Sequence, residues 1–200
     1  MKKNSISQKP VAGFTLVEML VTTAIVGLVS AIAIPSWLAF VNQQRLSEAQ
    51  DKVLTVLRDS QANAKRQEGT WQACFRDYNN QVWSAIQSVP INSNTDCSNP
   101  STNWQPLIGA DSQIITINQT NSNLFPTSNA SPPSSTLPPG YYEVQFTPKG
   151  LVDNSVGGNP PQKITITLRN QANNSQGCIF VETLLGAVRT DKGNNCKLSS

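Results

Sequence analysis

The 200-residue sequence contains no histidine. That absence removes the general base of Ser-His-Asp and Cys-His hydrolases and the imidazole half of a mixed zinc site. There is no C-x-x-C pair, no glycine-rich phosphate-binding loop and no close pair of carboxylates suited to acid–base work. The expectation is a protein that is not an enzyme: no catalytic residues, no metal and no cofactor.

Charge is scarce as well. From Met19 to Val41 there are 23 residues without a formal charge. As a helix they would extend about 34 Å, enough to cross a bilayer core. The leader before them, "MKKNSISQKPVAG", carries Lys2, Lys3 and Lys9 and no acid. By the positive-inside rule this end stays in the cytoplasm and the C-terminal bulk is exported. The net charge of +3 resides in this leader, because the chain from Phe14 onward has 12 Lys and Arg against 12 Asp and Glu. Net charge therefore gives no argument for nucleic acid as a partner.

What is present begins with four cysteines, Cys74, Cys97, Cys178 and Cys196, all on the exported side. An oxidising compartment favours disulfides, and four thiols allow three pairings. Cys74–Cys97 and Cys178–Cys196 are the favoured pairs, the second closing a loop near the C-terminus. Unpaired or metal-bound thiols are the alternative.

One acid stands at the start of the apolar run, in "AGFTLVEML": Glu18. An anion near the bilayer centre costs about 2.5–3.5 kcal/mol on insertion scales. A secretory signal would place its cleavage site after the apolar core. Here the basic leader ends in Gly13 and the apolar run follows. A cut between Gly13 and Phe14 would make Glu18 the fifth residue, one helical turn from a new α-amino group. Pairing with its own terminal amine, favouring the positive end of the helix dipole, or lying near the headgroups of an uncleaved anchor are the simpler readings of this acid.

The stretch "GFTLVEMLVTTAIVGLVSAIAIP" resembles the N-terminal segment of type IV pilins and type II secretion pseudopilins: glycine before the cut (Gly13), phenylalanine after it (Phe14), an acid at the fifth mature position (Glu18) and proline at the twenty-second (Pro35). The resemblance implies a prepilin peptidase that cuts after Gly13 and N-methylates Phe14. It also implies that Glu18 neutralises the terminal amine of a neighbouring subunit during filament assembly. Pro35 removes the hydrogen bond to the carbonyl of Ala31 and Gly27 weakens the helix two turns earlier. The segment between them resembles the region that loses helicity in packed pilins, a plain kink being the alternative.

Beyond Pro35, Leu46, Ala49, Val53, Val56, Leu57, Ser60 and Ala64 recur at spacings of three and four, opposite Arg45, Glu48, Asp51, Lys52, Arg58 and Asp59. This pattern predicts one amphipathic continuation, so that Phe14 to Gln67 forms a single helix of about 80 Å stopped by Gly69. The rest reads as strands: "TWQACF" and "QVWSAI" as a hairpin around "RDYNN", then "QIITIN", "YYEVQFT", "KITITLRN" and "GCIFVETLLGAVRT". Phe125 to Gly140, rich in proline, serine and threonine, and Val89 to Trp104 read as loops. The expected fold class is α+β, the type IV pilin fold: a cleaved leader 1–13, a membrane and filament-core helix 14–41, an amphipathic stem 42–68 and a β-rich head 69–200. The head is expected to contain one small antiparallel sheet covered on one face by the stem.

The stem's "VLRDSQANAKRQ", with "VQFTPKGLV" and "CIFVETLLGAVRT", is similar to the GspH/FimT group of minor pilins and pseudopilins. Some members of that group bind DNA through a glycine-arginine pattern with a second arginine two residues on. Here Gly186-Ala187-Val188-Arg189 has alanine in the first arginine's place, so only Arg189 carries over. Lys163, Arg169, Lys192 and Lys197 are the cations that could join it if they share a face, with Glu182 and Asp191 partly cancelling them. Tyr141-Tyr142 is a weaker candidate for stacking on single strands. The resemblance implies a minor pilin in the inner membrane and then in an extracellular pilus. Its partners would be other pilin subunits, the peptidase and the assembly platform, with DNA a further candidate. The rivals are a type II secretion pseudopilin and an uncleaved bitopic protein with a periplasmic binding domain.

Overall fold

The computed structural model describes residues 13–90, 97, 103–124, 141–153, 160–170 and 175–197, the side chain of residue 35 apart. The leader up to Ala12 and the proline-rich stretch 125–140 lie outside the described residues. The chain divides into two compact units, Met1–Val41 and Asn42–Ser200. The fold class is α+β: one long helix, then antiparallel strands.

Helix α1 runs from Leu16 to Arg66 and stays helical through residues 27 and 35. In the second unit its stripe is the one the spacing predicts. Leu46, Ala49, Val53, Val56, Leu57, Ser60 and Ala64 are all buried, while Glu48, Asp51, Lys52, Arg58 and Asp59 are exposed. The helix ends at Arg66, one residue before the expected Gln67 and three before Gly69. Glu68, not Gly69, takes the left-handed conformation (φ 50°), and the Gly69 N–H donates to the Ala64 carbonyl at 3.3 Å. That six-to-one bond is the Schellman arrangement, with glycine one place beyond the position that most needs it.

Strands β1 (Thr70–Tyr78) and β2 (Gln81–Val89) pair from Thr70↔Val89 to Tyr78↔Gln81. The expected five-residue loop is therefore a two-residue turn. Asn79 and Asn80 both have positive φ (52° and 58°), the geometry that matches the strands' right-handed twist. Strands β3 (Gln105–Pro106), β4 (Ile115–Ile117), β5 (Tyr142–Phe146), β6 (Gln162–Leu168), β7 (Gln176–Val181) and β8 (Val188–Lys192) follow.

They form two sheets, not the single sheet expected. The orders are β3-β2-β1-β5 and β4-β6-β7-β8. Strand β5 returns to β1 and β6 to β4, non-local choices that strand composition does not encode. Both sheets share one apolar core with the helix: Ala73, Phe75, Val144 and Phe146 from the first, Ile164, Ile166, Ile179 and Val181 from the second. Every residue of β5 and β6 is buried.

Two glycine turns meet the helix at Gln61. Its Nε2 donates to the carbonyls of Gly150 (2.8 Å) and Leu185 (3.2 Å). Gly150 and Gly186 have φ of 73° and 74°, and a Cβ on either would collide with Lys65 or Gln61 respectively. These are the glycines of "VQFTPKGLV" and "TLLGAV". On the helix face nearer residue 45, Gln50 Nε2 donates to the Asp191 carbonyl at 2.8 Å, against a glycine, Gly177, that leaves room for it.

Candidate functional site

Gly13 and Phe14 precede the helix and are exposed, Phe14 by 74 %. The helix begins after Thr15, not at Phe14. The Thr15 hydroxyl accepts the Glu18 main-chain N–H at 3.2 Å, and its carbonyl accepts Met19 N–H at 3.2 Å. Thr15 is thus the N-cap and Glu18 the third helical residue, the T-x-x-E spacing of a capping box. Sequence reasoning about Glu18 missed Thr15, although the spacing is visible in "FTLVE". At that place a carboxylate also meets the positive end of the helix dipole. The Glu18 side chain makes no ion pair among the described residues.

Among the described residues nothing covers the apolar run behind it. Its most apolar 18-residue window has mean hydropathy 2.2 and none of it is buried. Leu16, Leu28, Ile32 and Trp37 are each at least 65 % exposed. Three of the four hydroxyls within it bond inside the helix: Thr22 donates to Met19 O, Thr23 to Met19 O and Leu20 O, and Ser36 to Ala33 O. Such back-bonding lets a hydroxyl enter a medium that offers no water. The segment is long and apolar enough to cross a membrane.

The four cysteines form Cys74–Cys97 and Cys178–Cys196, with Cα separations of 5.7 and 5.5 Å. Cys97 lies over β1 and β5, its N–H donating to Glu143 Oε2 at 3.0 Å. No cluster of three or more metal-binding side chains gathers among the described residues.

Of the candidate DNA-binding cations, Lys163 and Arg189 flank Phe180 on neighbouring strands, 5.5 and 4.3 Å from its ring centroid. Lys163 is only 2 % exposed, and its ammonium donates to the Cys196 carbonyl at 2.7 Å beneath the C-terminal turn. Burial pushes its pKa down. Arg169 lies six residues along, beyond the far end of β6, and is bound to Asp77 at 3.0 Å. Arg189 is ion-paired with Glu182 and, at 2.7 Å, with Asp191, and stacks 4.3 Å from the Phe180 centroid. Its hydrogen bond to Glu182 raises its pKa further. Asp191 is held low by the side chain of Asn195, the N–H of Lys192 and then Arg189. Lys192 Nζ donates to Ser47 at 3.0 Å, and Lys197 is exposed. One of these lysines is interior and both arginines are paired with acids. Tyr142 is buried and Tyr141 half-buried. Tyr142 packs in the main core, whereas Tyr141, just before β5, lies against Trp104 and the Cys74–Cys97 cluster.

Residues 8–34 match the prokaryotic N-terminal methylation motif. An uncharacterised protein of Haemophilus influenzae is 32 % identical over 89 residues, 44 % of this chain, and the match spans about half (52 %) of that relative. Two crystal structures of the Pseudomonas aeruginosa type IV minor pilin FimU are also similar. One is 12 % identical over 76 % of this chain and 92 % of its own, with a TM-score of 0.44. The other is 13 % identical over 73 % and 92 %, with a TM-score of 0.42. The N-terminal segment of this chain is thus a prokaryotic N-terminal methylation segment.

Proposed function

We propose that the chain is a minor type IV prepilin. It is cut after Gly13 by prepilin peptidase, N-methylated at Phe14, and assembled with other pilin subunits through Glu18 and the apolar helix. Before assembly the leader is cytoplasmic, the helix lies in the inner membrane, and residues 69–200 form a periplasmic head. In the filament the chain primes assembly or carries that head. The observation that carries this reading is the junction itself: Gly13-Phe14, then a capped helix start holding Glu18, then an apolar run left uncovered among the described residues.

An acid on an apolar helix is costly unless paired. A partner supplied only by a neighbouring subunit would favour one axial register over others. DNA capture takes second place here, because Arg189 is offset by two acids and Lys163 is interior. Mass spectrometry of the protein recovered from cells is the test. A mature chain that begins at singly methylated Phe14 is expected. In the Glu18→Val variant cleavage should persist while incorporation into filaments is lost. An N-terminus still running from Met1 through Gly13 would point instead to an uncleaved anchored protein.

A further inference from the structure

At the tip of the β1–β2 hairpin, where the two sheets meet, the head has a cavity of about 470 Å³. Its floor is an ion pair held from several sides. Arg169 Nε donates to the Gln113 carbonyl at 3.1 Å. Its Nη2 donates to the Ile115 carbonyl (2.9 Å) and to both Asp77 oxygens (3.0 and 3.1 Å). The Thr116 hydroxyl donates to the same carboxylate. The remaining nitrogen, Arg169 Nη1, has no partner among the described residues, although the side chain is 28 % exposed. The pair therefore presents one fixed, unspent NH₂ donor beside a carboxylate with acceptor capacity left over.

The rim adds Asn79, Asn80 and Gln119, whose amides each offer donors and an acceptor. Asp77 and Arg169 cancel, so the lining carries no net charge. Ile117 is its one apolar member, which leaves no pocket for a peptide's side chains and departs from the mostly apolar lining of small-molecule sites. An anion would meet Asp77 as well as Arg169. A hydroxyl both donates and accepts, and a ring of neutral groups that do the same is its complement.

We propose that this cavity binds a neutral saccharide. Arg169 Nη1 donates to a sugar oxygen, Asp77 accepts from a hydroxyl, and the amides of Asn79, Asn80 and Gln119 hold the rim. The site belongs to the head and stands whether or not the N-terminal segment is processed.

The test is saturation-transfer NMR on the full chain in phosphocholine micelles, since a glycosidic detergent would compete. The probes are the methyl glycosides of glucose, galactose and N-acetylglucosamine, with glucuronate as an anionic comparator. Saturation transfer to at least one neutral glycoside is expected. It should weaken at least tenfold in Asn80→Gly/Gln119→Ala, in which glycine keeps the left-handed turn. The single Gln119→Ala, an exposed position, should weaken it in part with the thermal unfolding unchanged. Three results would each overturn the proposal: no transfer from any neutral glycoside, transfer unaffected by both variants, or transfer from glucuronate alone.

Discussion

The Thr15 hydroxyl accepts the main-chain N–H of Glu18 at 3.2 Å, so the one acid of the N-terminal methylation segment also occupies the third position of a capped helix. Losing an N-cap costs about 1 kcal/mol. Thr15→Ala should therefore speed amide exchange at Glu18 roughly fivefold in micelles, while Thr15→Ser stays near the parent. Equal exchange in all three would remove the cap from the account.

The left-handed residue that ends the helix is Glu68, an exposed position. A side chain there carries strain of about 1–2 kcal/mol, partly offset in a glycine variant by the freer unfolded chain. Glu68→Gly should raise stability by about 0.5–1 kcal/mol in denaturant titrations. Loss of stability would mean that Glu68 serves another purpose.

Gly186 should resist replacement for two separable reasons, its φ of 74° and the amide of Gln61 that a Cβ would strike. Gly186→Ala is expected to cost at least about 1–2 kcal/mol from the backbone term by itself. Adding Gln61→Ala should recover only the steric part, which a double-mutant cycle reads directly. Full recovery would show that the backbone term is absent.

Tyr142 has its pKa pushed up, first by burial and then by the negative charge of Asp77. In the unfolded chain its phenol ionises near pH 10. Above that pH the unfolded state sheds a proton that the native state keeps, so stability falls as pH rises, by up to about 1.4 kcal/mol per pH unit. Buried Lys163, with its pKa lowered, acts in the opposite sense below its ordinary value, but it is common to parent and variant. Stability measured from pH 9 to 11 should therefore fall more steeply in the parent than in Tyr142→Phe. Parallel curves would sink the assignment.

Residues adjacent in sequence determined a good deal by themselves. The junction Gly13-Phe14 with Glu18, the uncharged run to Val41, and the stripe from Leu46 to Ala64 are local patterns, read from order and spacing along one helix. The helix's extent followed from them to within two residues. The N-cap at Thr15 was equally local and could have been read from its distance to Glu18.

Only the tertiary structure decided the rest. Which strands join β1 and which join β6 is settled by partners distant in sequence, and that choice makes two sheets out of what composition reads as one. The fate of each cation was likewise non-local. Lys163 looks like a surface charge until the C-terminal turn of Cys196 covers it. Arg169 looks like a strand-end cation until Asp77, 92 residues earlier, receives it. Hydropathy and spacing record what a residue is and what lies beside it along the chain. Burial and ion pairing depend on which distant segment folds over it, so those came only with the fold.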